Sequence, residues 1–351
     1  MNSKPFENEK NKQSEMVDRE LETSSNGLKF GLIKLIILLI SAPWVLALII
    51  RLSVQDSAGV FLTLVYYMSP LILLSMGAAT VFLLAWYIRW YRISLIWLML
   101  ALITGSWCWN AQFQKNDFSL AFKNENPPVI QIHFWNIGDR LWGMETVLDE
   151  LRVVDADLIG LVEAGADSDK MKLFWKKSFP DHPFQVVKNG FVFLSRIPIS
   201  NQEPGTLTEM GKYERLDLSL NHTPAGGMSV FLVDIRSDIL KSRKAALTKL
   251  AEQVSALNDQ PILVLGDFNT PSDSVHFRPL RKWLKNSMEI AGDGYMATWP
   301  LPLPVLDLDS IWVNDLFVTI SSENRWTWVS DHRPVLTKVF LKTPKKMSDL
   351  F

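Results

Sequence analysis

The chain has 351 residues, which is enough for two or three structural units. Its formal net charge is −1, and residues 129–342 carry 23 Lys and Arg against 27 Asp and Glu. This balance lacks the basic face with which nonspecific nucleic-acid binders neutralise phosphates, so nucleic acid is the less favoured partner. The single cysteine, Cys108, excludes an internal disulfide and a cysteine-ligated zinc cluster.

The N-terminal third separates into a polar tail and three apolar segments. Residues 1–29 are polar and of mixed charge, which predicts disorder because such a composition cannot bury a core. Apolar runs at about residues 30–50, 60–88 and 93–109 approach the ~20 residues that a membrane-spanning helix needs. The third run is at the lower limit of length, and a buried helix of a soluble domain is its alternative. Pro70 is compatible with a span.

Basic residues in the short connections predict the orientation. The tail is rich in lysine, and the second connection holds Arg89 and Arg92, whereas the first holds Arg51 beside Asp56. The positive-inside rule then places the N-terminus and the second connection in the cytoplasm. Three crossings put everything after Trp109 outside it, in a multi-pass protein of the cell (inner) membrane. A cleaved signal peptide fits less well, because the first apolar run exceeds the about 7–15 residues of a signal.

The remaining chain has the pattern of one folded domain. Residues 110–128 are polar and end in two prolines, which predicts a linker, and residues 343–351 are a short tail. In between, residues 129–342 alternate apolar strands with amphipathic helices. Strands outnumber helices and several follow one another directly. This pattern predicts packed sheets with outer helices and not a simple doubly wound sheet.

Polar residues stand where predicted strands end. In chain order they are Asn136, Glu163, Gly266-Asp267-Phe268-Asn269 and Ser330-Asp331-His332, and Asp309 opens a further strand. Carboxylates and amides at strand ends can converge on one cleft and suit Mg²⁺, with Mn²⁺ as the alternative. Each residue alone has a structural interpretation, such as a turn for Asn136. Their combination favours a metal and phosphate site.

The residue types suggest how such a site would work. Asn136 and Asn269 can coordinate a metal or donate to phosphate oxygens. His332 can exchange a proton near neutral pH, and Asp309 could orient its other ring nitrogen. A bound cation would act as a Lewis acid on a phosphate oxygen.

The order of these residues resembles the endonuclease/exonuclease/phosphatase superfamily, which includes pancreatic-type deoxyribonucleases and bacterial sphingomyelinases. Residues 190–198, a strand followed by Ser-Arg-x-Pro, and the step Thr298-Trp299 also resemble that family. The resemblance covers about residues 129–341 and indicates a membrane-anchored, bacterial-type member. It implies a four-layer α/β sandwich in which two mixed β-sheets pack face to face between helices.

The resemblance also implies roles for individual residues. It implies Mg²⁺ at Glu163, with Asn136 and Asp331 nearby. Asp267 and Asn269 would then position the attacking water and the phosphate.

Proton transfer is the second implied role. His332, supported by Asp309, would transfer a proton, and either His332 or Asp267 could take it from the water. Family members usually carry a histidine or tyrosine at the position of Asp234, before the long helix. A carboxylate donates poorly to phosphate unless its pKa is raised. Asp234 could therefore be kept protonated, bind a second metal, or mark a weakened enzyme.

These observations predict a membrane-anchored, metal-dependent phosphoesterase acting on a phosphodiester or phosphomonoester outside the cytoplasm. A lipid headgroup is one candidate substrate. The apolar stretch at residues 299–305 could contact lipid, although a packed proline-rich loop is the favoured interpretation. The alternatives are an extracytoplasmic nuclease and a catalytically weak, membrane-tethered binding domain.

Overall fold

A computed structural model describes residues 4–116, 128–138, 143–220, 226–257 and 259–342. Residues 117–127 of the predicted linker and the predicted tail 343–351 lie outside these ranges. The described residues form two compact units. The first comprises the chain up to Ser53 together with Leu71–Cys108, and the second comprises Val54–Pro70 together with the chain from Trp109 onward.

Four helices form the N-terminal part of the chain. They are α1 (Lys4–Leu52), α2 (Gly59–Met68), α3 (Leu71–Tyr87) and α4 (Tyr91–Gln112). Residues 27–52 of α1 and all of α4 are long and apolar enough to cross a membrane. The pair α2 and α3 would form a third, broken span, bent by 70°. The break falls at Pro70, which has no N–H to donate and disfavours helical backbone in the residue before it.

Two predictions for this region differ from the structure. Residues 4–29, predicted to be disordered, belong to α1. They contain many Lys, Glu and Gln residues, which have good helix propensity, and the adjoining apolar helix removes the cost of nucleation. Helix α4 is also longer than predicted, so that the first residues of the predicted linker are helical and continue into β1 (Phe113–Gln114).

The second unit contains two mixed β-sheets. The eight-stranded sheet has the order β1, β11 (Gly292–Tyr295), β13 (Phe317–Asn324), β14 (Val335–Leu341), β2 (Ile130–Asn136), β3 (Leu158–Val162), β5 (Phe191–Ser195), β4 (Phe184–Lys188). The six-stranded sheet has the order β10 (Lys285–Asn286), β12 (Asp309–Val313), β9 (Ile262–Asp267), β8 (Gly227–Ile235), β7 (Gly211–Ser219), β6 (Ile199–Thr206). Pairs β2–β3, β8–β9 and β11–β13 are parallel, and the remaining pairs are antiparallel.

The two sheets pack face to face through an apolar core. Phe134 of one sheet and Leu232 and Leu265 of the other are fully buried there. The strand β3 contributes Gly160, where a Cβ would lie 2.9 Å from the Leu232 side chain, so glycine permits the close approach of the sheets. This core positions the strand ends that carry the polar residues.

Helices cover the outer face of each sheet. The helices α5 (Met144–Arg152) and α6 (Asp169–Ser178) bury Leu148 and Trp175 against the eight-stranded sheet. Helix α7 (Lys244–Ser255) buries Leu247 and Leu250 against the six-stranded sheet, and α8 (Ser287–Ala291) is a short helix after β10. The predicted four-layer α/β sandwich is therefore confirmed.

The segment Val54–Pro70 belongs to the second unit, although the sequence predicted most of it as part of a membrane span. Its buried Asp56 carboxylate accepts hydrogen bonds from Ser274 Oγ and, at 3.2 Å, from Val275 N. Tyr67 of α2 donates a third, at 3.4 Å. A buried carboxylate requires such donors, and the domain supplies two of them.

Candidate active site

Four charged residues form a row across one end of the six-stranded sheet. Asp309 is the strand partner of Asp267, Asp267 of Asp234, and Asp234 of Lys212. Partners in register project from the same face of a sheet. Two-residue alternation places the row on the face of Leu265, which lies in the core between the sheets. The row therefore lies where that core ends.

The opposite sheet contributes Asn136 at the end of β2. Alternation from Ile132 and Phe134, both in the core between the sheets, directs Asn136 inward as well. Its Nδ2 donates to Asp267 Oδ2 at 2.8 Å, and its Oδ1 accepts from Gly138 N at 2.9 Å. Two residues that the sequence predicted for the site thus bridge the two sheets.

His332 is fixed by three buried neighbours. Its Nδ1 lies 2.8 Å from Asp309 Oδ2. Ser330 Oγ accepts from His332 N at 3.1 Å and donates to the Asn136 carbonyl at 2.8 Å. Trp135 Nε1 donates to the His332 carbonyl at 2.9 Å. Asp309 and His332, which the sequence suggested as a pair, are therefore in direct contact.

The carboxylates determine the protonation of this group. Burial by itself lowers the pKa of His332, but Asp309 first, and then Asp267 and Asp331, outweigh burial and raise it to about 10. Burial and then repulsion from Asp309 raise the pKa of Asp267 to about 8. Asp267, Asp309 and His332 each offer a ligand atom within 4.8 Å of the others. The cluster therefore favours added positive charge, either as protons on Asp267 and His332 or as a bound metal cation.

Asn269 holds the Asp267 carboxylate in place. Its backbone N–H donates to Asp267 Oδ1 at 2.9 Å, and its Nδ2 donates to the Ile235 carbonyl at 2.7 Å and to Asp267 Oδ2 at 3.2 Å. The φ angle of Asn269 is 45°, a left-handed conformation that asparagine tolerates better than most residues. The Asp-x-Asn spacing is thus explained by a turn that returns the amide to its own carboxylate.

An open cleft of about 770 Å³ adjoins this network. Its lining includes Glu163, Asn269, Asp234 and Lys212. Glu163 follows β3 with a φ of 52°. Asp234 Oδ2 lies 3.2 Å from Lys212 Nζ, so that the carboxylate faces an ammonium group. Asp234, which stands where the resembled family usually has a histidine or tyrosine, therefore forms an ion pair at the cleft wall.

Asp331 and Thr298 support the opposite side of the cluster. Asp331 Oδ2 accepts from Trp299 Nε1 at 3.0 Å. Thr298 Oγ1 accepts from Leu308 N and Asp309 N at 3.1 and 3.2 Å, which fixes the start of β12. The Thr298-Trp299 step thus positions two of the predicted acidic residues.

The structure groups most of the predicted residues but adds one that the sequence did not indicate. One hydrogen-bonded network joins Asn136, Asp267, Asn269, Asp309 and His332. Lys212 was missed, because a single lysine in an alternating strand has no motif and only strand register places it beside Asp234.

The Ser-Arg-x-Pro motif has a structural explanation. Ser195 Oγ donates to the Ile197 carbonyl at 2.6 Å. Arg196 forms ion pairs with Asp155 and Asp157. The motif shapes the turn after β5.

The donor set fits a hard divalent cation. Asp309 Oδ1 is buried and accepts no hydrogen bond from any residue within the described ranges. Carboxylate and amide oxygens are the ligands that Mg²⁺ prefers. A cation near Asp267 and Asp309 would also relieve the repulsion that raises the pKa of Asp267.

Comparison with known proteins identifies the class to which this geometry belongs. Residues 108–332 match the Endonuclease/Exonuclease/phosphatase family. The match spans more than half of the chain, which therefore belongs to the endonuclease/exonuclease/phosphatase family. The family resemblance predicted from the sequence is confirmed. No curated protein matches the sequence.

Solved structures agree on the fold. A family member from Bacteroides thetaiotaomicron superposes with a TM-score of 0.52 at 15% identity, over 62% of this chain and 99% of that one. A Bacteroides vulgatus member has a TM-score of 0.51 at 14% identity, over 61% and 99%. The mannosyl-6-phosphatase of Bacteroides thetaiotaomicron has a TM-score of 0.50 at 16% identity, over 60% and 100%. At such identities the likeness shows the fold alone.

Proposed function

We propose that the protein is a membrane-anchored, Mg²⁺-dependent phosphoesterase that hydrolyses a phosphodiester or phosphomonoester outside the cytoplasm. The observation that carries this proposal is the hydrogen-bonded cluster of Asp267, Asp309 and His332 beside the cleft that Glu163 and Asn269 line. Membership of the endonuclease/exonuclease/phosphatase family supports phosphoester chemistry.

The cation would be held by Glu163, with Asn136 and Asp331 nearby. When bound, Mg²⁺ neutralises charge on the phosphate and acts as a Lewis acid on its oxygens. Asp331 is oriented by Trp299 and Asn136 by Gly138, so both side chains already have defined positions.

Proton transfer falls to the buried cluster. Asp267 is held by amide donors from Asn136 and Asn269, and we assign its ionised form to orient the attacking water and to accept its proton. Asp309 occupies Nδ1 of His332, which leaves Nε2 for the phosphate. His332 would then donate a hydrogen bond to the phosphate as negative charge develops.

The docking of the segment Val54–Pro70 supports the proposed topology. This segment connects α1 to α3, and it packs within the same unit as the catalytic domain. Both should therefore lie on one side of the membrane. In this arrangement α3 crosses without α2, although its 17 residues are at the lower limit for a span, and α4 crosses in the opposite direction. Charge bias in the loops makes that side the extracytoplasmic one.

Cysteine labelling tests the orientation. In a Cys108→Ala background, Asp149→Cys places a thiol on the exposed surface of α5, and Arg89→Cys places one between α3 and α4. A membrane-impermeant maleimide should label Asp149→Cys in intact cells and Arg89→Cys only after lysis. The reverse pattern would overturn the topology.

A lipid phosphoester is the substrate that we favour. Leu303 and Trp328 are 77% and 70% exposed, and the rings of Trp326 and Trp328 form a T-shaped contact. These side chains come from the two loops that Asp331 joins, since its carbonyl accepts from Leu301 N at 2.8 Å. An exposed apolar rim near the cluster suits a headgroup approached from a bilayer.

Hydrolysis assays test the activity and its substrate. The detergent-solubilised full chain should hydrolyse an aryl phosphodiester or monoester with Mg²⁺ and not with EDTA. Asp267→Ala should lose at least about 10²-fold in rate, and Asp149→Ala, an exposed aspartate of α5, is the matched control. Absence of metal-dependent hydrolysis in the wild type would refute the proposal. Parallel assays on phospholipid vesicles and DNA would separate a lipid phosphoesterase from a nuclease.

A further inference from the structure

Lys212 has a defined position at the cleft wall. Its Nζ donates to the Asn189 carbonyl at 2.6 Å and lies 3.2 Å from Asp234 Oδ2. Gly190 has a φ of 82°, and a Cβ there would lie 3.3 Å from Nζ. The turn at Asn189 and Gly190 therefore forms a cradle for the ammonium, although 41% of the Lys212 side chain is exposed.

The ammonium retains hydrogen-bonding capacity on the cleft side. It carries three N–H donors. Asn189 and Asp234 take two of them, the Phe191 ring lies 5.0 Å from Nζ, and within the described ranges no further oxygen or nitrogen accepts from it. Lys212 lines the cleft together with Glu163 and Asn269. One donor is thus available to an anion bound in the cleft.

Charge explains why Lys212 and Asp234 occur together. Asp234 stands beside Asp267 in the row, and its carboxylate alone would repel a phosphate. The ion pair with Lys212 neutralises it. The pair also supplies the hydrogen-bond donor that a carboxylate lacks.

We propose that Lys212 binds a nonbridging oxygen of the substrate's phosphate and that Asp234 is the positioning residue that holds its ammonium. This inference rests on the proposed phosphoester function, and it assigns the anion-binding group of the same cleft. It also replaces the three alternatives for Asp234 by one role.

Binding of inorganic phosphate tests this without requiring turnover. Calorimetric titration of the full chain in detergent with Mg²⁺ should give a Kd that rises at least about tenfold in Lys212→Met, or ~1.4 kcal/mol. Lys212→Arg should retain part of the affinity, because the positive charge remains. Asp234→Asn should weaken binding less than Lys212→Met does, since the ammonium stays in the cleft. Lys285→Met, which removes an exposed ion pair with Asp315, is the matched control.

The outcomes separate this inference from the proposed function. Wild-type phosphate binding that depends on Lys212 without any hydrolysis would sink the phosphoesterase proposal and retain the role of Lys212. A Lys212→Met chain that binds phosphate and hydrolyses aryl ester like the wild type would overturn the inference alone. It would also be overturned if the wild type failed to bind phosphate, or if Asp234→Asn were the more damaging change.

Discussion

Two buried networks in the second unit are built from the same three residue types. One contains Ser330, His332 and Asp309, and the other contains Ser274, His276 and Asp56. In both, the serine hydroxyl accepts from the backbone N–H of the histidine at 3.1 Å.

The networks differ in what the carboxylate contacts. Asp309 Oδ2 lies 2.8 Å from the ring nitrogen of His332, and its Oδ1 is unsatisfied within the described ranges. Asp56 instead receives the Ser274 hydroxyl and Val275 N, and the His276 ring meets the Asp56 backbone carbonyl at 3.1 Å. The first arrangement polarises an imidazole, whereas the second fastens a segment to the domain.

The largest expected effect is on catalysis. His332→Gln should reduce hydrolysis of the aryl ester by about 10²–10⁴-fold, because it removes the imidazole of the cluster that would donate a hydrogen bond to the phosphate. His276→Gln changes the same residue type in the other network and should cost less than about tenfold. Steady-state kinetics of both variants with Mg²⁺ would measure this. Equal losses would mean that the networks do not have separate roles.

The second effect is on stability. Asp56→Ala leaves the Ser274 hydroxyl and Val275 N without their acceptor in a buried site, so the free energy of unfolding should fall by about 3 kcal/mol. Urea denaturation of the solubilised full chain, followed by tryptophan fluorescence, would measure it. Asp149→Ala is the exposed control. An unchanged midpoint for Asp56→Ala would contradict the structural role.

The segment that holds Asp56 also supports the cleft. The Tyr67 ring lies 5.9 Å from the guanidinium of Arg243. Arg243 donates to the carbonyls of Arg236, Asp238 and Lys241, all three of which line the cleft. A fragment that starts at Trp109 would lack this support, so catalytic assays should use the full chain.

The third effect is a pH dependence of stability that the first network should produce. The pKa values of Asp267 and His332 are raised to about 8 and about 10, so the folded state binds these protons more tightly than the unfolded state. The free energy of unfolding should therefore fall as pH rises from 3.8 to about 8 for Asp267 and from 6.5 to about 10 for His332. The slope per group is at most about 1.4 kcal/mol per pH unit.

Denaturation at pH 6.5 and pH 9 in EDTA would measure this dependence. Asp309→Asn should reduce the slope, because it removes the carboxylate that contributes most to raising the pKa of His332. Saturating Mg²⁺ should also reduce it, since a cation held beside the cluster disfavours the protonated form of Asp267. A metal-free protein that is equally stable at both pH values would contradict the raised pKa values.

Part of the candidate site could be predicted from the sequence. Asn136, Asp267, Asn269 and His332 each follow an apolar run, and strand ends of a layered α/β domain converge, so their meeting was predictable. Asp56 was not, because its partner Ser274 is 218 positions away and the sequence placed Asp56 in a short connection between two predicted membrane spans.

The position of Lys212 and the helical structure of residues 4–29 could not be predicted from the sequence either. Strand register alone places Lys212 beside Asp234, and no local pattern encodes that register. Composition predicted disorder for residues 4–29, but the helix of the neighbouring apolar run extends into them.

The smallest expected effect comes from the two serines. Ser330→Ala removes the hydroxyl that links His332 N to the Asn136 carbonyl, so it should lower activity several-fold and stability by about 1 kcal/mol. Ser274→Ala should lower stability by a similar amount and leave the rate per folded molecule unchanged, because its partner Asp56 contacts the domain outside the cluster. Kinetics normalised to the folded fraction would distinguish these results. If Ser274→Ala lowered the normalised rate as much as Ser330→Ala, the Asp56 network would have to act on catalysis through the cleft wall.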